Sequence, residues 1–251
     1  MDKIIIAGKS KLYGSIDIPG SKNAALPILV SSLLSKKNFK IHNIPELQDI
    51  ESMIKLLKSF GVSVENTNNE INLNANNLKN NIADYELVRK MRASILVLGP
   101  LLVRFKKAKI SLPGGCAIGT RPIDIHLDSL NKLGVNFEIE NGFVTGIVKD
   151  KLIGTTINLS FPSVGATENL IMAASLAKGT TIINNAAQEP EIVDLVKSLN
   201  SMGAKISGSG SNKIEIKGVE NLYEAEHKIM SDRITAGTFI IAGVMTNSKF
   251  K

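Results

Sequence analysis

Apolar residues recur along the chain in two kinds of helix-length segment. Segments of the first kind are apolar on every side, which is typical of buried helices, and they span about 24–34, 93–103 and 167–177. Segments of the second kind repeat apolar residues at i, i+4 and i+7, as Ile123, Leu127 and Leu130 do. Such a stripe predicts an amphipathic helix with one packed face. Short strand patterns separate the two kinds, at about 39–41, 109–112 and 180–183.

The amphipathic segments all end at a glycine that is followed by an alternating strand pattern. Gly61, Gly134 and Gly203 occupy this position, 73 and then 69 residues apart. Glycine directly after a helix favours the left-handed conformation that ends it. The repeat predicts an α/β domain of three pseudo-equivalent units with helices at its centre. Each unit is expected to consist of a strand, a buried helix, a strand, an amphipathic helix and a strand.

A fourth unit begins near the end of the sequence. The stretch 232–239 resembles the start of another buried helix, and 248–251 resembles the entry into the strand that follows such a helix. Because the other copies continue beyond this point, we interpret the fourth unit as truncated. The alternative is a short terminal capping unit, which is disfavoured because half a unit exposes apolar surface.

Composition narrows the class of protein. The 251 residues are 43% apolar and 21% charged, as in ordinary globular proteins. No apolar run has the length of a membrane span, and the first residues lead into a strand-like stretch instead of a signal peptide. The single cysteine excludes an internal disulfide and suits a reducing compartment. We therefore expect a cytoplasmic protein that does not enter a membrane.

The net charge of +7 suits nucleic acid, anionic lipid or an anionic small substrate, and equally a surface of scattered lysines. Only 4% of the residues are aromatic and tryptophan is absent, so a basic groove with stacking rings is not predicted. The sequence has no Walker loop, no GxGxxG fingerprint and no metal-ligand spacing among His42, His126 and His227. The histidines are interpreted as surface or core residues, and no nucleic acid, metal or cofactor is expected.

Cys116 lies in a segment rich in glycine and proline. Three glycines and two prolines fall within the twelve residues 113–124, which predicts a loop. Arg121 stands directly before Pro122, and proline can open a helix. Because a cation and a helix N-terminus both stabilise a thiolate, the segment predicts a reactive thiol.

Polar and basic residues stand where the apolar segments begin. Lys22 and Asn23 lie at the first, Arg92 opens the second, and Ser163 opens the third. Helix N-termini offer free N–H donors, and lysine or arginine adds a full positive charge, so this placement favours a phosphate or carboxylate ligand. Each residue also has a purely structural explanation. Asn23 and Ser163 fit helix caps, and Lys22 and Arg92 fit solvated surface charges.

Several stretches resemble the UDP-N-acetylglucosamine 1-carboxyvinyltransferases, a family of enolpyruvyl transferases. They are 19–27, 91–94, 112–116 with 118–119 and 121–122, 163–169, and 185–187 with 189–191. The resemblance implies transfer of enolpyruvyl from phosphoenolpyruvate to the 3-hydroxyl of UDP-N-acetylglucosamine, the first committed step of peptidoglycan synthesis. The phosphoshikimate carboxyvinyltransferases share the fold, but the Pro-Gly-Gly-Cys stretch favours the sugar-nucleotide enzymes.

The resemblance also implies a domain organisation. Members of the family have two similar domains, each an inside-out α/β barrel of three units, with the active site between them. Residues 22–228 are expected to form one complete domain, and 1–21 with 229–251 a fragment of the second. The aspartate base and further arginines of the second domain have no counterpart here. The missing C-terminal half as a separate chain is one expected partner, and the alternative is an inactive domain that at most binds the nucleotide sugar.

Individual roles follow from the same resemblance. Cys116 is expected to protonate the methylene carbon of phosphoenolpyruvate, Lys22 to contact this substrate, and Asn23 to lie beside the reacting centre. Residues 121–124 and 163–165 are expected to hold the uridine diphosphate. Glu189 also fits a cap-region carboxylate with no partner beyond the helix dipole. The complete set of expected substrate-binding residues is Lys22, Asn23, Arg92, Arg121, Pro122, Ile123, Asp124, Ile125, Ser163, Val164, Gly165, Glu189 and Asp232.

Overall fold

The computed structural model describes residues 3–5, 8, 11–67, 69–89, 91–112, 123–249 and 251. Within these ranges the α-helices are α1 (Lys22–Ser31), α2 (Gln48–Ser59), α3 (Tyr85–Val88), α4 (Leu98–Phe105), α5 (Asp124–Lys132), α6 (Val164–Ala174), α7 (Pro190–Ser201) and α8 (Arg233–Met245). The strands are β1 (Asn38–His42), β2 (Ser63–Thr67), β3 (Glu70–Asn74), β4 (Ile82–Ala83), β5 (Lys107–Ser111), β6 (Val135–Glu140), β7 (Phe143–Val148), β8 (Thr156–Asn158), β9 (Thr180–Asn184), β10 (Lys205–Ser207), β11 (Lys213–Lys217) and β12 (Ala225–Lys228). Short 3-10 helices at Ser32–Leu34 and Arg92–Val97 follow α1 and precede α4.

The described strands form three four-stranded sheets of one topology. Their strand orders are β12-β1-β3-β2, β4-β5-β7-β6 and β8-β9-β11-β10. In each sheet the first pair is parallel and the other two pairs are antiparallel. A parallel pair needs a crossover, and the buried helices α4 and α6 lie on the crossovers from β4 to β5 and from β8 to β9. In the remaining sheet β12, from the far end of the chain, pairs with β1, so the first and last units close on each other.

The α/β class and the threefold repeat are confirmed. Each amphipathic helix, α2, α5 and α7, ends with one cap residue and then a glycine with positive φ. The angles are 100° at Gly61, 99° at Gly134 and 98° at Gly203. The left-handed region is open to glycine at little steric cost, which is why the helices stop there and strands begin at once.

Each unit ends in a hairpin, where a single strand was expected. After the amphipathic helix the first strand turns back, so that β2 pairs with β3, β6 with β7, and β10 with β11. Asn141 and Gly142 form one of the turns, with φ of 51° and 76°. Asn-Gly is the pair that two-residue hairpin turns favour, because both residues tolerate positive φ. The predicted unit is therefore one strand too short.

The apolar helices form the centre of the domain. Helices α1, α4 and α6 and the 3-10 helix before α4 pack on one another, and α2, α5 and α7 cover them. Strands such as β1, β3 and β11 alternate between buried and exposed side chains. The sheets therefore cover the helices with one face and leave the other face exposed, which is the inside-out arrangement that was expected.

Helix α8 stands apart from this packing. Asp232 caps it by accepting hydrogen bonds from the N–H groups of Ile234 and Thr235. The helix thus begins where the sequence predicted, but Gly243 is its only buried residue among those described, and Met245 is 81% exposed. No described element covers its apolar face. None of the described helices is both long enough and apolar enough to cross a lipid bilayer.

Candidate functional site

The N-terminal ends of the central helices surround one cavity. Its volume is about 960 Å³. Lys22 begins α1, Arg92 begins the 3-10 helix that precedes α4, and Ser163 caps α6; all three line the cavity. Because the helices pack side by side at the centre of the domain, their positive dipole ends and free N–H groups face the same space. The cavity is therefore suited to an anionic ligand.

Helix α1 brings Lys22 and Asn23 to this cavity. Ser21 caps the helix, its Oγ accepting a hydrogen bond from Ala24 N at 3.3 Å. Asn23 is therefore not the cap, although its residue type fits that role. The Lys22 ammonium lies 2.8 Å from Asp49 Oδ2, and both side chains are more than one third exposed. Because an exposed ion pair contributes little free energy, Lys22 can leave Asp49 for an anionic ligand.

Helix α6 meets the cavity at its first turn. Ser163 is the cap, as one sequence interpretation predicted: its Oγ accepts a hydrogen bond from Ala166 N at 3.3 Å. Gly165 packs against the ring of His126, where a Cβ atom would lie only 3.2 Å from Cε1 and 3.3 Å from Nε2. A side chain at this position would push the ring away from the helix.

Asn169 ties α6 to its neighbours behind the cavity. Its side chain is fully buried. Oδ1 accepts a hydrogen bond from Gly99 N at 2.8 Å, and Nδ2 donates to Ile95 O at 3.0 Å. Nδ2 also lies 3.3 Å from His126 Nδ1. Since an amide nitrogen only donates, Nδ1 accepts, and the neutral ring carries its proton on Nε2.

His126 is neutral because of where it lies. Burial, with a smaller contribution from the positive charge of Arg92, lowers the pKa of His126 to about 4. The ring lines the cavity. At neutral pH it therefore presents a neutral group to the ligand, and the positive charge of the site comes from Lys22 and Arg92.

We expect the His126→Asn variant to lose less stability on acidification than the parent protein does. Below a pH of 6.5 the unfolded histidine takes up a proton, whereas the folded ring stays neutral until about pH 4. Each pH unit in that window therefore removes about 1.4 kcal/mol from the free energy of unfolding. Urea unfolding at pH 7 and pH 5 should show a loss that is about 2 kcal/mol smaller in the variant. If the free energies of unfolding of the two proteins fell equally between pH 7 and pH 5, the lowered pKa of His126 would be contradicted.

Carboxyl groups form another wall of the cavity. Glu191, which is almost fully buried, accepts hydrogen bonds from Arg233 Nε at 2.9 and 3.2 Å through its two oxygens. Glu189 is the N-terminal cap residue of α7 and makes no capping hydrogen bond with its side chain. Burial raises the pKa of Glu168 well above its ordinary value, and the charges of Glu191 and then Glu189 raise it further. The cavity thus combines basic helix starts with a carboxyl group whose pKa is raised and a carboxylate that is paired with Arg233.

Most of the described residues that the sequence predicted for the site lie together. Those lining the cavity are Lys22, Asn23, Arg92, Ile125, Ser163, Val164, Gly165 and Glu189. Asp232 lines an adjoining cavity of about 410 Å³ with Lys22 and Asn23. Ile123 and Asp124 stand at the start of α5 and line neither cavity. Cys116, Arg121 and Pro122 lie outside the described residues.

Five further titratable or charged residues of the cavity have no predicted role: Asp49, His126, Glu168, Glu191 and Arg233. Two of them carry a signal in the sequence. Arg233 follows Asp232 at the start of a helix, as Lys22 follows Ser21. Glu168 is a carboxylate at the start of an otherwise apolar segment, where a charge needs a partner or a proton.

A cavity of about 540 Å³ lies at the opposite, C-terminal ends of the central helices and contains none of the predicted site residues. Arg104 borders it and donates hydrogen bonds to Leu33 O at 2.6 Å and Ala75 O at 2.9 Å. Basic residues in this position complement the negative ends of helix dipoles. No three His, Cys, Asp or Glu side chains are grouped as a metal site within the described ranges. The cavity at the helix N-termini is therefore the candidate site.

Comparison with known proteins finds a family and individual relatives that are all described as carboxyvinyltransferases. Residues 6–251 match the family described as EPSP synthase (3-phosphoshikimate 1-carboxyvinyltransferase). UDP-N-acetylglucosamine 1-carboxyvinyltransferase 1 of Halalkalibacterium halodurans is 51% identical over 247 residues, which are 98% of this chain and 56% of the relative. The UDP-N-acetylglucosamine 1-carboxyvinyltransferase of Psychromonas ingrahamii is 48% identical over 251 residues, all of this chain and 60% of the relative. The chain thus spans less than two thirds of the length of these relatives.

Solved structures share the fold. The enolpyruvyl transferase NikO from Streptomyces tendae matches with a TM-score of 0.82 and 21% identity, over 94% of this chain and 56% of that one. EPSP synthase from Acinetobacter baumannii matches with a TM-score of 0.73 and 20% identity, over 93% and 53%. At these identities the likeness concerns the fold alone, and it agrees with the repeated α/β units described above.

Proposed function

The chain belongs to the EPSP synthase family of carboxyvinyltransferases, and on that premise we propose that it forms part of an enzyme acting on UDP-N-acetylglucosamine. The enzyme transfers the enolpyruvyl group of phosphoenolpyruvate to the sugar 3-hydroxyl, which serves peptidoglycan synthesis in the cytoplasm. The observation that carries the proposal is the meeting of Lys22, Arg92 and the N-terminus of α6 at one cavity. Both substrates carry several negative charges, and such groups bind phosphate and carboxylate. The names of relatives at 51% and 48% identity support the sugar nucleotide as acceptor.

The described residues take distinct parts in this proposal. Lys22 contacts phosphoenolpyruvate, Asn23 lies beside the reacting carbon, and Arg92 shares the same anionic region. The start of α6, at 163–165, binds the diphosphate with the N–H groups of Val164 and Gly165, since a helix N-terminus binds such a group without a charged side chain. The roles of Cys116 and Arg121 rest on the sequence resemblance.

The proposed chemistry is an addition followed by an elimination. The sugar hydroxyl oxygen bonds to C2 of phosphoenolpyruvate while the Cys116 thiol gives its proton to the methylene carbon, C3. The bond from C2 to the phosphate oxygen then breaks, phosphate leaves with the electron pair, and C3 releases a proton to restore the double bond. By the family resemblance, the base for the hydroxyl proton belongs to the second domain. Proton donation to carbon of this kind contributes about 10²–10⁴-fold in rate.

The proposed domain division is supported by the closure of the sheets. Because β12 pairs with β1, residues 22–228 contain three complete units. The outer segments, 1–21 and 229–251, interact with each other: Ile16 N donates to Lys251 O at 2.8 Å, and Gly20 bridges to Ser231. We assign them to a second domain whose remainder is carried by the longer relatives. That remainder would cover the exposed apolar face of α8.

A second candidate function is a domain that binds the nucleotide sugar without catalysis. The observation favouring it is that the chain spans only 56% and 60% of the two relatives compared. Both candidates require the same anion-binding cavity. They differ in whether phosphate is released.

Phosphate release from phosphoenolpyruvate and UDP-N-acetylglucosamine distinguishes the two candidates. The assay compares the chain alone with the chain mixed with the remaining C-terminal part of the Halalkalibacterium halodurans relative. Release in the mixture alone supports a divided active site. Absence of release in both samples, with the nucleotide sugar still bound, supports the binding domain. Release with shikimate 3-phosphate instead of the nucleotide sugar would overturn the choice of acceptor.

We expect Arg121→Ala to weaken binding of UDP-N-acetylglucosamine by about tenfold or more, because an arginine–phosphate contact is a charge-assisted hydrogen bond. Titration calorimetry measures the change. Arg89→Ala is the matched control: Arg89 forms an exposed ion pair with Glu86, 2.8 Å apart, and does not line the cavity. Unchanged binding by the Arg121 variant would contradict the proposed diphosphate site.

A further inference from the structure

Glu168 is a buried carboxyl group in the wall of the candidate site. It is 5% exposed and lies on α6, about one turn after Val164. What remains exposed faces the cavity, which Glu168 lines. Among the described residues no cation forms an ion pair with it. A buried carboxyl group without such a partner is unstable as an anion.

Two cations of the cavity are paired with carboxylates other than Glu168. Arg233 is bound by both oxygens of Glu191, and Lys22 pairs with Asp49. Burial raises the pKa of Glu168 well above its ordinary value, and Glu191 and Glu189 act in the same direction. The titratable and charged groups facing the cavity are Lys22 on α1, Asp49 on α2, Arg92 before α4, His126 on α5, Glu189 and Glu191 at the start of α7, and Arg233 on α8.

We propose that Glu168 keeps its proton in the folded protein and donates a hydrogen bond from its carboxyl group to an oxygen of the bound anionic substrate. This inference rests on the proposed function. An ionised Glu168 would oppose both the substrate and two neighbouring carboxylates. A protonated carboxyl group has a donor in place of that charge, so the same side chain attracts phosphate or carboxylate oxygen.

The proton makes binding depend on pH in a defined direction. The carboxyl group is a donor below its pKa and an anion above it. UDP-N-acetylglucosamine itself does not change its phosphate charge between pH 6 and pH 9. Affinity for it should therefore fall as pH rises, by up to about tenfold for each unit above the pKa of Glu168.

Calorimetric titration with UDP-N-acetylglucosamine at pH 6 and pH 9 tests this dependence in the parent chain, Glu168→Gln and Glu168→Leu. Gln keeps an N–H donor and does not titrate, so its affinity should change far less between the two pH values than that of the parent. Leu lacks a donor and should bind about tenfold more weakly than the parent at pH 6. Glu140→Gln, an exposed position on β6, is the control and should follow the parent. Other titrating groups, Cys116 among them, are common to all four proteins.

NMR of chains labelled with ¹³C at the glutamate side-chain carboxyl tests the proton directly. The resonance missing from Glu168→Gln identifies Glu168, and its shift should be that of a neutral carboxyl group at pH 7. If this resonance titrated near 4.5, the ordinary pKa of glutamate, the inference about Glu168 would be overturned and the proposed function would not be affected. Equal affinity of the parent and Glu168→Leu at pH 6 would also overturn it and leave the proposed function standing. Absence of binding by the parent at both pH values would overturn the proposed function and the donor role together.

Discussion

Replacing Asn169 by alanine is expected to lower the free energy of unfolding by about 3–5 kcal/mol. The side chain is fully buried and satisfies three groups: Gly99 N, Ile95 O and His126 Nδ1. Alanine leaves Gly99 N and His126 Nδ1 without their partner in a place that bulk water does not reach, and it leaves Ile95 O with the hydrogen bond from Leu98 N alone. The two helices are too close for another side chain to enter, since a Cβ atom at Gly99 would lie 2.9 Å from the backbone O of residue 169. Urea unfolding at pH 7 measures the loss.

Asn184→Ala is the matched control for this measurement. Asn184 also donates a side-chain hydrogen bond, to Asn158 Oδ1 at 2.8 Å, but on an exposed sheet surface. Water replaces the lost partner there, so the change should stay within about 0.5 kcal/mol. A loss below about 1 kcal/mol for Asn169→Ala would show that the buried network does not hold α4 and α6 together.

The architecture of the chain was largely predictable because its signals are local. Gly61, Gly134 and Gly203 mark the helix ends through the conformation that only glycine adopts freely. The apolar helices follow from uniform hydrophobicity over ten or so residues. The hairpins were also predictable at Asn141-Gly142, where the turn residues are adjacent. The hairpins are missing from the predicted unit because some of their strands are very short. A strand of three residues, such as β10, shows too little alternation to be recognised in the sequence.

The site was predictable only in part. Lys22, Arg92 and Ser163 stand at helix starts, and packing three helices in parallel is enough to bring such starts together. The lowered pKa of His126 and the raised pKa of Glu168 are different, because both arise from burial and from charged neighbours on other elements. The cap of α1 is a smaller example. Asn23 is of a residue type that caps helices, but the backbone places Ser21 at the cap position. Tertiary contacts decide these features.

The Cys116→Ala variant of the completed enzyme is expected to release phosphate about 10²–10⁴ times more slowly than the parent. Alanine removes the group proposed to protonate C3 of phosphoenolpyruvate but leaves the anion-binding residues in place. UDP-N-acetylglucosamine should therefore bind the variant as it binds the parent. Arg121→Ala should show the opposite pattern, with weaker binding as its primary defect. A loss of transition-state stabilisation and a loss of binding are separated by measuring rate and affinity on the same proteins.

The pH dependence of the parent rate then distinguishes an acid from a nucleophile at Cys116. An acid donates from the thiol form, so single-turnover phosphate release should slow as pH rises through the pKa of the thiol. A nucleophile attacks as the thiolate, and its rate would rise over the same range. Glu168→Gln should be used as the background for this profile, because it removes the other titrating donor proposed for the cavity. A rate that rises with pH in that background, or full activity of Cys116→Ala, would overturn the acid role and with it the proposed first proton transfer.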